Sequence, residues 1–95
     1  MRVIWRRRAI ADLASLREYI ADHNPVAAAR TSQRLRSAAR QLATMPRIGR
    51  AGRVTETREL VVPGTPYLIA YRIRGGTVEI LRVLHGARRW PTNIP

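Results

Sequence analysis

The residues best suited to chemistry lie near the end of the chain, in the segment EILRVLHGARRWP at residues 79–91. Histidine gains and loses a proton near neutral pH, so His85 could transfer protons to or from a substrate. Two guanidinium groups and an indole follow at Arg88, Arg89 and Trp90. Arginine binds phosphate, and both arginine and tryptophan are enriched at the energetic centres of protein interfaces. The segment therefore predicts either a site of proton transfer or a surface that binds a macromolecule.

We interpret the two parts of this set differently. His85 ends a run of apolar, β-prone residues, and the ring of such a histidine usually bonds to a neighbouring carbonyl. Arg88, Arg89 and Trp90 follow that run, in a segment of the kind that carries function more often than regular structure does. We therefore expect these three residues to contact the target and His85 to be structural, with proton transfer as its alternative role.

The charge of the chain predicts a polyanionic partner. All 18 cationic residues are arginines, only six acids oppose them, and the formal net charge is +12. A field of this sign attracts nucleic acid and acidic protein segments and accelerates encounter with them. The arginines of a basic loop and of a strand are the expected contacts for an acidic partner or a nucleic acid: Arg47, Arg50, Arg53, Arg72 and Arg74.

Composition argues against several kinds of site. The chain has no cysteine, so it forms neither disulfides nor thiolate metal sites, which fits a reducing cytoplasm. Two separated histidines and few acids predict no metal site, and no phosphate-binding glycine loop points to a cofactor. No apolar run approaches the ~20 residues of a membrane span, and the start MRVIWRRR lacks a secretory signal. We expect one cytoplasmic domain over residues 1–95, with no metal, cofactor or membrane contact.

The apolar periodicity predicts the elements that position these residues. Ile10, Leu13 and Ile20 recur at helical spacing, and Asn24 followed by Pro25 predicts the start of a second helix. The predicted order is β-α-α-β-β-β with a basic loop after the helices, at about 2–5, 9–22, 25–44, 46–57 (the loop), 58–62, 67–74 and 77–85. Tightly joined helices form a hairpin, so we predict an α+β domain with a helical hairpin on one face of an antiparallel sheet.

The Gly75-Gly76 pair predicts a two-residue turn and with it a register for the last two strands. Counting outward from the turn pairs Ile73 with Val78, Arg72 with Glu79, Tyr71 with Ile80, Ala70 with Leu81 and Ile69 with Arg82. The face predicted to cover the helices carries Tyr67, Ile69, Tyr71, Ile73, Val78, Ile80 and Leu84. The opposite face carries Leu68, Ala70, Arg72, Arg74, Glu79, Leu81, Val83 and His85. Arg82 falls on the apolar face, so it should reach the rim or pair with Glu56 or Glu59.

Taken in order, these segments resemble the ParE/RelE superfamily of bacterial toxins from toxin–antitoxin pairs. ADLASLREYIADHNPVAAA is similar to the family's first helix and the Asn-Pro start of its second helix. LATMPRIGR is similar to the end of that second helix and its Pro-x-x-Gly-Arg loop. TRELVV, PYLIAYRI and VEILRVLHGARRWP resemble the three C-terminal strands and the tail. The resemblance implies a small cytoplasmic toxin that is neutralised by a ParD-like antitoxin with an acidic segment.

The resemblance also implies one of two targets. RelE-like members cleave messenger RNA in the ribosome; they typically place an arginine after the aromatic residue that opens the third strand, and a tyrosine near the end. This chain has Leu68 after Tyr67, no tyrosine after Tyr71 and no lysine. Its HGARRWP ending is more similar to the ParE-like members, which poison DNA gyrase without cleaving RNA. We therefore expect a gyrase inhibitor that acts by binding and has no catalytic residues.

Two alternatives stay open. One is a ribosome-dependent, metal-independent endoribonuclease with His85, Arg88 and Arg58 in its site. RNA cleavage of this kind needs a base for the 2′-hydroxyl, cations for the phosphate and an acid for the leaving oxygen. The other alternative is a non-toxic module that only binds antitoxin.

Overall fold

The computed structural model describes residues 1–87 and 90–91, which form two helices and five strands. In chain order these are β1 (Arg2–Trp5), α1 (Arg7–Ala21), α2 (Pro25–Gln41), β2 (Arg50–Ala51), β3 (Arg58–Val61), β4 (Tyr67–Arg74) and β5 (Thr77–His85). The strands form one sheet in the order β1-β5-β4-β3-β2, and the helical hairpin covers one face of it. The predicted α+β fold is confirmed. The sheet is mixed, however, because β1 pairs in parallel with β5, to which no tight turn connects it.

The second helix begins where the sequence predicts and ends earlier. The side-chain oxygen of Asn24 accepts a hydrogen bond from the backbone N–H of Ala27 at 3.0 Å, and Pro25 occupies the first helical turn. The helix ends at Gln41, three residues before the predicted end. The reason is that the N–H groups of residues 42–44 bond to carbonyls three residues back, the tighter geometry of a 3₁₀ turn.

The basic loop contains a short strand that the sequence does not predict. In β2, Arg50 lies opposite Glu59 and Ala51 lies opposite Arg58. Two residues are too few to show the alternating apolar pattern of a strand. The sequence of this segment therefore does not predict β2, which is defined by its pairing with β3. Pairing with β3 brings the loop arginines to the edge of the sheet.

The core lies between the helical hairpin and the sheet. Its largest fully buried side chains come from both layers: Tyr71, Leu35, Leu42, Ile69, Ile80, Val62 and Val78. Within residues 1–87 and 90–91, neither helix is long and apolar enough to span a membrane.

The predicted register of the last hairpin is correct near the turn and wrong beyond it. Gly75 and Gly76 both have positive φ, and the three pairs nearest the turn, out to Tyr71 with Ile80, are confirmed. A β-bulge then inserts Leu81, so that Ala70 lies opposite Arg82. An extra residue reverses which side chains point to which face. The remaining predicted pairs, Ala70 with Leu81 and Ile69 with Arg82, are therefore wrong.

The bulge also corrects three face assignments. Val83 packs in the core under the helices, whereas Leu84 packs with Ala70 and Leu81 on the opposite face, which we call the open face. His85 lies opposite Tyr67, on the helix side of the sheet. The alternation of the sequence predicts Val83 and His85 on the open face and Leu84 on the helix side, and the bulge makes all three assignments wrong.

The partner of Arg82 is also different from the one predicted. Asp12 of α1, and neither Glu56 nor Glu59, accepts from Arg82 Nε at 2.7 Å and from its Nη2 at 3.0 Å. Asp12 Oδ2 also accepts from the backbone N–H of Val83 at 2.9 Å. Because β1 pairs with β5 from Thr77 to Ile80, this N–H lies beyond the part of β5 that pairs with β1. The carboxylate therefore joins α1 to the sheet, and it raises the pKa of Arg82.

Candidate functional site

A cleft opens where the C-terminal end of β5 meets α1. Its volume is about 340 Å³. It is lined by Asp12, Ser15, Leu16, Tyr19, Tyr67, Val83, Leu84, His85 and Trp90, and we call it the α1–β5 cleft. The structure thus brings together two of the predicted site residues, His85 and Trp90. The predicted target contacts Arg88 and Arg89 lie outside the described residues.

His85 is fixed by its own chain. Its Nδ1 accepts a hydrogen bond from the backbone N–H of Ala87 at 3.1 Å, so the predicted carbonyl partner is replaced by an amide. The neutral ring must then carry its proton on Nε2, which makes the free nitrogen a donor. The ring also packs edge-on against Tyr67, with 5.6 Å between centroids. In this arrangement the imidazole holds the end of β5 and offers no free basic nitrogen to a substrate.

Arg58, the third residue of the alternative catalytic set, is remote from His85 and is bonded to the loop. Its Nη1 donates to the carbonyl of Gly49 at 2.8 Å and to the carbonyl of Arg47 at 3.2 Å. Arg58 lies opposite Tyr71 on β4, whereas His85 lies opposite Tyr67 on the other side of that strand. Four residues of β4 span about 13 Å, at ~3.3 Å per residue. The structure does not bring these two residues together.

The buried side chain of Tyr71 also bonds to the basic loop that follows α2. Its hydroxyl donates to the carbonyl of Pro46 at 2.7 Å and accepts from the backbone N–H of Gly49 at 2.9 Å. A Cβ on Gly49 would lie 2.6 Å from this hydroxyl, so only glycine fits without displacement. Burial raises the pKa of Tyr71, which therefore stays neutral. Both ends of the Pro-x-x-Gly segment thus bond to the hydroxyl of Tyr71, and these bonds position the backbone around Arg47 and Arg50.

Two of the loop arginines are organised by one buried acid. Glu59 is 3% exposed and accepts from Arg50 Nη2 at 3.2 Å, from the backbone N–H of Arg53 at 2.8 Å and from Arg53 Nε at 3.3 Å. Burial alone would raise the pKa of Glu59, but the bonds from Arg53 and Arg50 lower it overall. The guanidinium carbon of Arg53 lies 3.4 Å from the ring centroid of Trp90. We call Glu59, Arg50 and Arg53 the Glu59 cluster.

A second buried acid organises arginines on the open face. Glu79 accepts from Arg72 Nε at 2.5 Å and also bonds to Arg6. The hydrogen bond from Arg72 lowers the pKa of Glu79 most, and burial opposes it. The predicted Arg72–Glu79 neighbours are thus confirmed, while Arg74 is exposed at the end of β4. Each carboxylate holds two guanidiniums, so both clusters keep a net positive charge.

These two pKa shifts predict a loss of stability in acid. Both glutamates titrate below the ordinary value of 4.5 in the folded chain, so their contribution is present above that pH and is lost as the pH falls through the lowered pKa values. We expect the free energy of unfolding, measured in urea, to decrease as the pH is lowered below 4.5. Glu59→Gln and Glu79→Gln should each flatten this decrease. Glu18→Gln, at an exposed position of α1, should leave it unchanged, and equal slopes in all variants would contradict the assignment.

Comparison with known proteins identifies the family. The model of the family described as "ParE toxin of type II toxin-antitoxin system, parDE" matches residues 3–90. This chain belongs to the ParE toxin family. It is 44% identical over 86 residues to "Toxin RelE2" of Caulobacter vibrioides, an alignment that covers 90% of this chain and 96% of that protein. It is also 44% identical over 90 residues to "Putative toxin Y4kP" of Sinorhizobium fredii, which covers 95% and 93% of the two chains.

A solved structure supports the same assignment for this ParE-family toxin. The chain superposes on a protein from "Chromosomal ParDE TA system from P. aeruginosa" with a TM-score of 0.74. The two are 25% identical, and the match covers 87% of this chain and 92% of the other. The protein is therefore a toxin of a type II toxin–antitoxin system, and an antitoxin is its expected partner.

Proposed function

We propose that this toxin acts in the cytoplasm by binding DNA gyrase and inhibiting it, without cleaving RNA. The environment of His85 carries the proposal. The one histidine on the sheet uses Nδ1 to accept from its own backbone and lies against Tyr67. Arg58 is bonded to loop carbonyls on the far side of β4. Catalysis of RNA cleavage needs base, acid and phosphate-binding cations at one place.

Leu68 adds support from the open face. It stands at the position where RelE-like members typically have an arginine, and it is only 3% exposed. It packs opposite Leu84 of β5. The chain also has no lysine that could replace the missing cation. A polar phosphate would thus meet an apolar surface at this point of the sheet.

The target contact in this proposal is Arg88, Arg89 and Trp90. Trp90 lies at the rim of the α1–β5 cleft, beside the end of β5. An arginine pair next to an indole has the composition of an interface hot spot. We place the contact with gyrase on this tail because it joins two guanidinium groups to an indole.

The antitoxin is proposed to bind the α1–β5 cleft and the arginines beside it. Leu16, Tyr67 and Val83 offer apolar contact there, and the Glu59 cluster adds positive charge close to Trp90. A segment with apolar side chains and flanking acids complements this combination. Arg47, Arg50, Arg53, Arg72 and Arg74 remain the proposed contacts for such acids or for nucleic acid.

RNA cleavage is the second candidate, favoured by the names of two relatives, "Toxin RelE2" and "Toxin RelE1", the latter 36% identical over 81 residues. Gyrase supercoiling of relaxed plasmid distinguishes the first candidate from both the ribonuclease and a module that only binds antitoxin. We expect purified toxin to block supercoiling or to trap cleaved DNA, and its antitoxin to reverse the effect. Full supercoiling at a large excess of toxin would overturn the proposal.

A further inference from the structure

We propose that Arg53 is a positioning residue that holds Trp90 in place for target binding. The inference rests on the proposed function, because it assumes that the tail contacts the target. Its structural basis is a chain of three groups: buried Glu59, then Arg53, then the indole of Trp90. Arg53 lies in the loop before β3, and Trp90 lies after β5. The stacking of the Arg53 guanidinium on the indole therefore joins two segments that are far apart in the sequence.

The first contact fixes Arg53 itself. Glu59 is 3% exposed and bonds both to the backbone N–H of Arg53, at 2.8 Å, and to its side-chain Nε, at 3.3 Å. Main chain and side chain are therefore held by the same carboxylate oxygen. An arginine restrained in this way loses less conformational freedom when its planar guanidinium stacks on a ring. Glu59 thus prepares the surface on which Trp90 lies.

The second contact fixes the indole. The guanidinium carbon of Arg53 lies 3.4 Å from the ring centroid, well within the range of a cation–π interaction. Within the described residues, the indole Nε1 is buried and has no hydrogen-bond partner. The ring is therefore held by stacking and packing, and the stack on Arg53 is a principal restraint.

Arg50 supplies a matched control. It also donates to Glu59, through Nη2 at 3.2 Å, and its side chain is similarly exposed, 60% against 48% for Arg53. Within the described part of the chain, the cation stacked on Trp90 is Arg53. Replacing either arginine removes one charge and one bond to Glu59. Among the described contacts, the one with Trp90 is lost when Arg53 is replaced and is kept when Arg50 is replaced.

The test uses the fluorescence of Trp90. The chain has two tryptophans, so Trp5→Phe leaves Trp90 as the only tryptophan, and excitation at the long-wavelength edge of its absorption avoids the three tyrosines. In that background we expect Arg53→Gln to increase the rate constant of acrylamide quenching about twofold or more, because the ring loses the cation that covers one face. Arg50→Gln should leave quenching unchanged. Arg53→Lys, which keeps the charge without the planar fork, should give an intermediate value.

Gyrase inhibition completes the test. Arg53→Gln should raise the half-inhibitory concentration about two- to fivefold, the range expected for an exposed cation–π contact, and Arg30→Gln, at an exposed position of α2, should not. Equal quenching in the Arg53→Gln and Arg50→Gln variants would overturn the stack on Trp90. Altered quenching with unchanged inhibition would overturn the positioning role. Failure of the unsubstituted toxin to inhibit gyrase would instead overturn the proposed function, while quenching would still decide the contact between Arg53 and Trp90.

Discussion

Removing the residues after Ala87 is expected to abolish inhibition of gyrase. The deleted segment contains Arg88, Arg89 and Trp90, which we propose as the target contact. Hot-spot residues each contribute about 2 kcal/mol or more, and ~1.4 kcal/mol corresponds to a tenfold change in affinity. Loss of two such residues should therefore raise the half-inhibitory concentration in the supercoiling assay more than about 100-fold.

The double variant Arg88→Ala, Arg89→Ala controls for the shape of the cleft. It keeps Trp90, which lines the α1–β5 cleft, whereas the truncation removes it. We expect the double variant to lose most of the inhibition and to bind antitoxin with an affinity within about tenfold of the unsubstituted toxin, since we place the antitoxin contact on the cleft and on the loop arginines. Calorimetry with the antitoxin measures the second quantity. Full inhibition by the truncated chain would remove the tail from the target contact.

Tyr71→Ala is expected to destabilise the fold more than any exposed substitution. The side chain is fully buried, and its hydroxyl bonds to Pro46 and Gly49 of the loop. Emptying a large aromatic site costs about 3–5 kcal/mol, against a typical total stability of about 5–15 kcal/mol. Urea unfolding monitored by circular dichroism should show this loss, and the loop that carries Arg47 and Arg50 should become more accessible to trypsin.

Tyr71→Phe separates the hydroxyl from the ring. It keeps the buried ring but leaves the Gly49 N–H and the Pro46 carbonyl without this partner, which should cost about 1–3 kcal/mol. Gly49→Ala should also destabilise, because its Cβ would lie 2.6 Å from the hydroxyl. A Tyr71→Phe variant as stable as the unsubstituted protein would show that the loop does not depend on the phenol.

Local sequence features predicted most of the fold because each element depends on neighbouring residues. The Asn24-Pro25 start and the Gly75-Gly76 turn act over two to four positions, and both appear in the structure. The bulge at Leu81 could not be predicted in this way. The two residues that follow it, Arg82 and Val83, bond to Asp12 on a helix about seventy residues earlier in the chain.

The candidate site was predictable in its residue types and unpredictable in its contacts. Arg72 and Glu79 were paired correctly because the nearby turn sets their register. Glu59 was missed as the organiser of Arg50 and Arg53, since their meeting requires the two-residue strand β2. The available signal for this contact was the position of Glu59, an acidic residue on a predicted strand that directly follows a basic loop. The Arg53–Trp90 stack joins two segments that no local pattern relates.

The central claim is that the toxin inhibits gyrase by binding and does not cleave RNA. It is tested most directly by incubating one toxin preparation with both possible targets. Gyrase with relaxed plasmid and ribosomes stalled on a defined messenger RNA are incubated in parallel, each with the unsubstituted toxin and with His85→Ala. We predict that both proteins inhibit supercoiling to the same extent and that the messenger RNA stays intact. Loss of a catalytic base would slow cleavage about 10²–10⁴-fold, so a catalytic role would be plain. Site-specific cuts made by the unsubstituted toxin and lost in His85→Ala would contradict the claim and identify a ribonuclease.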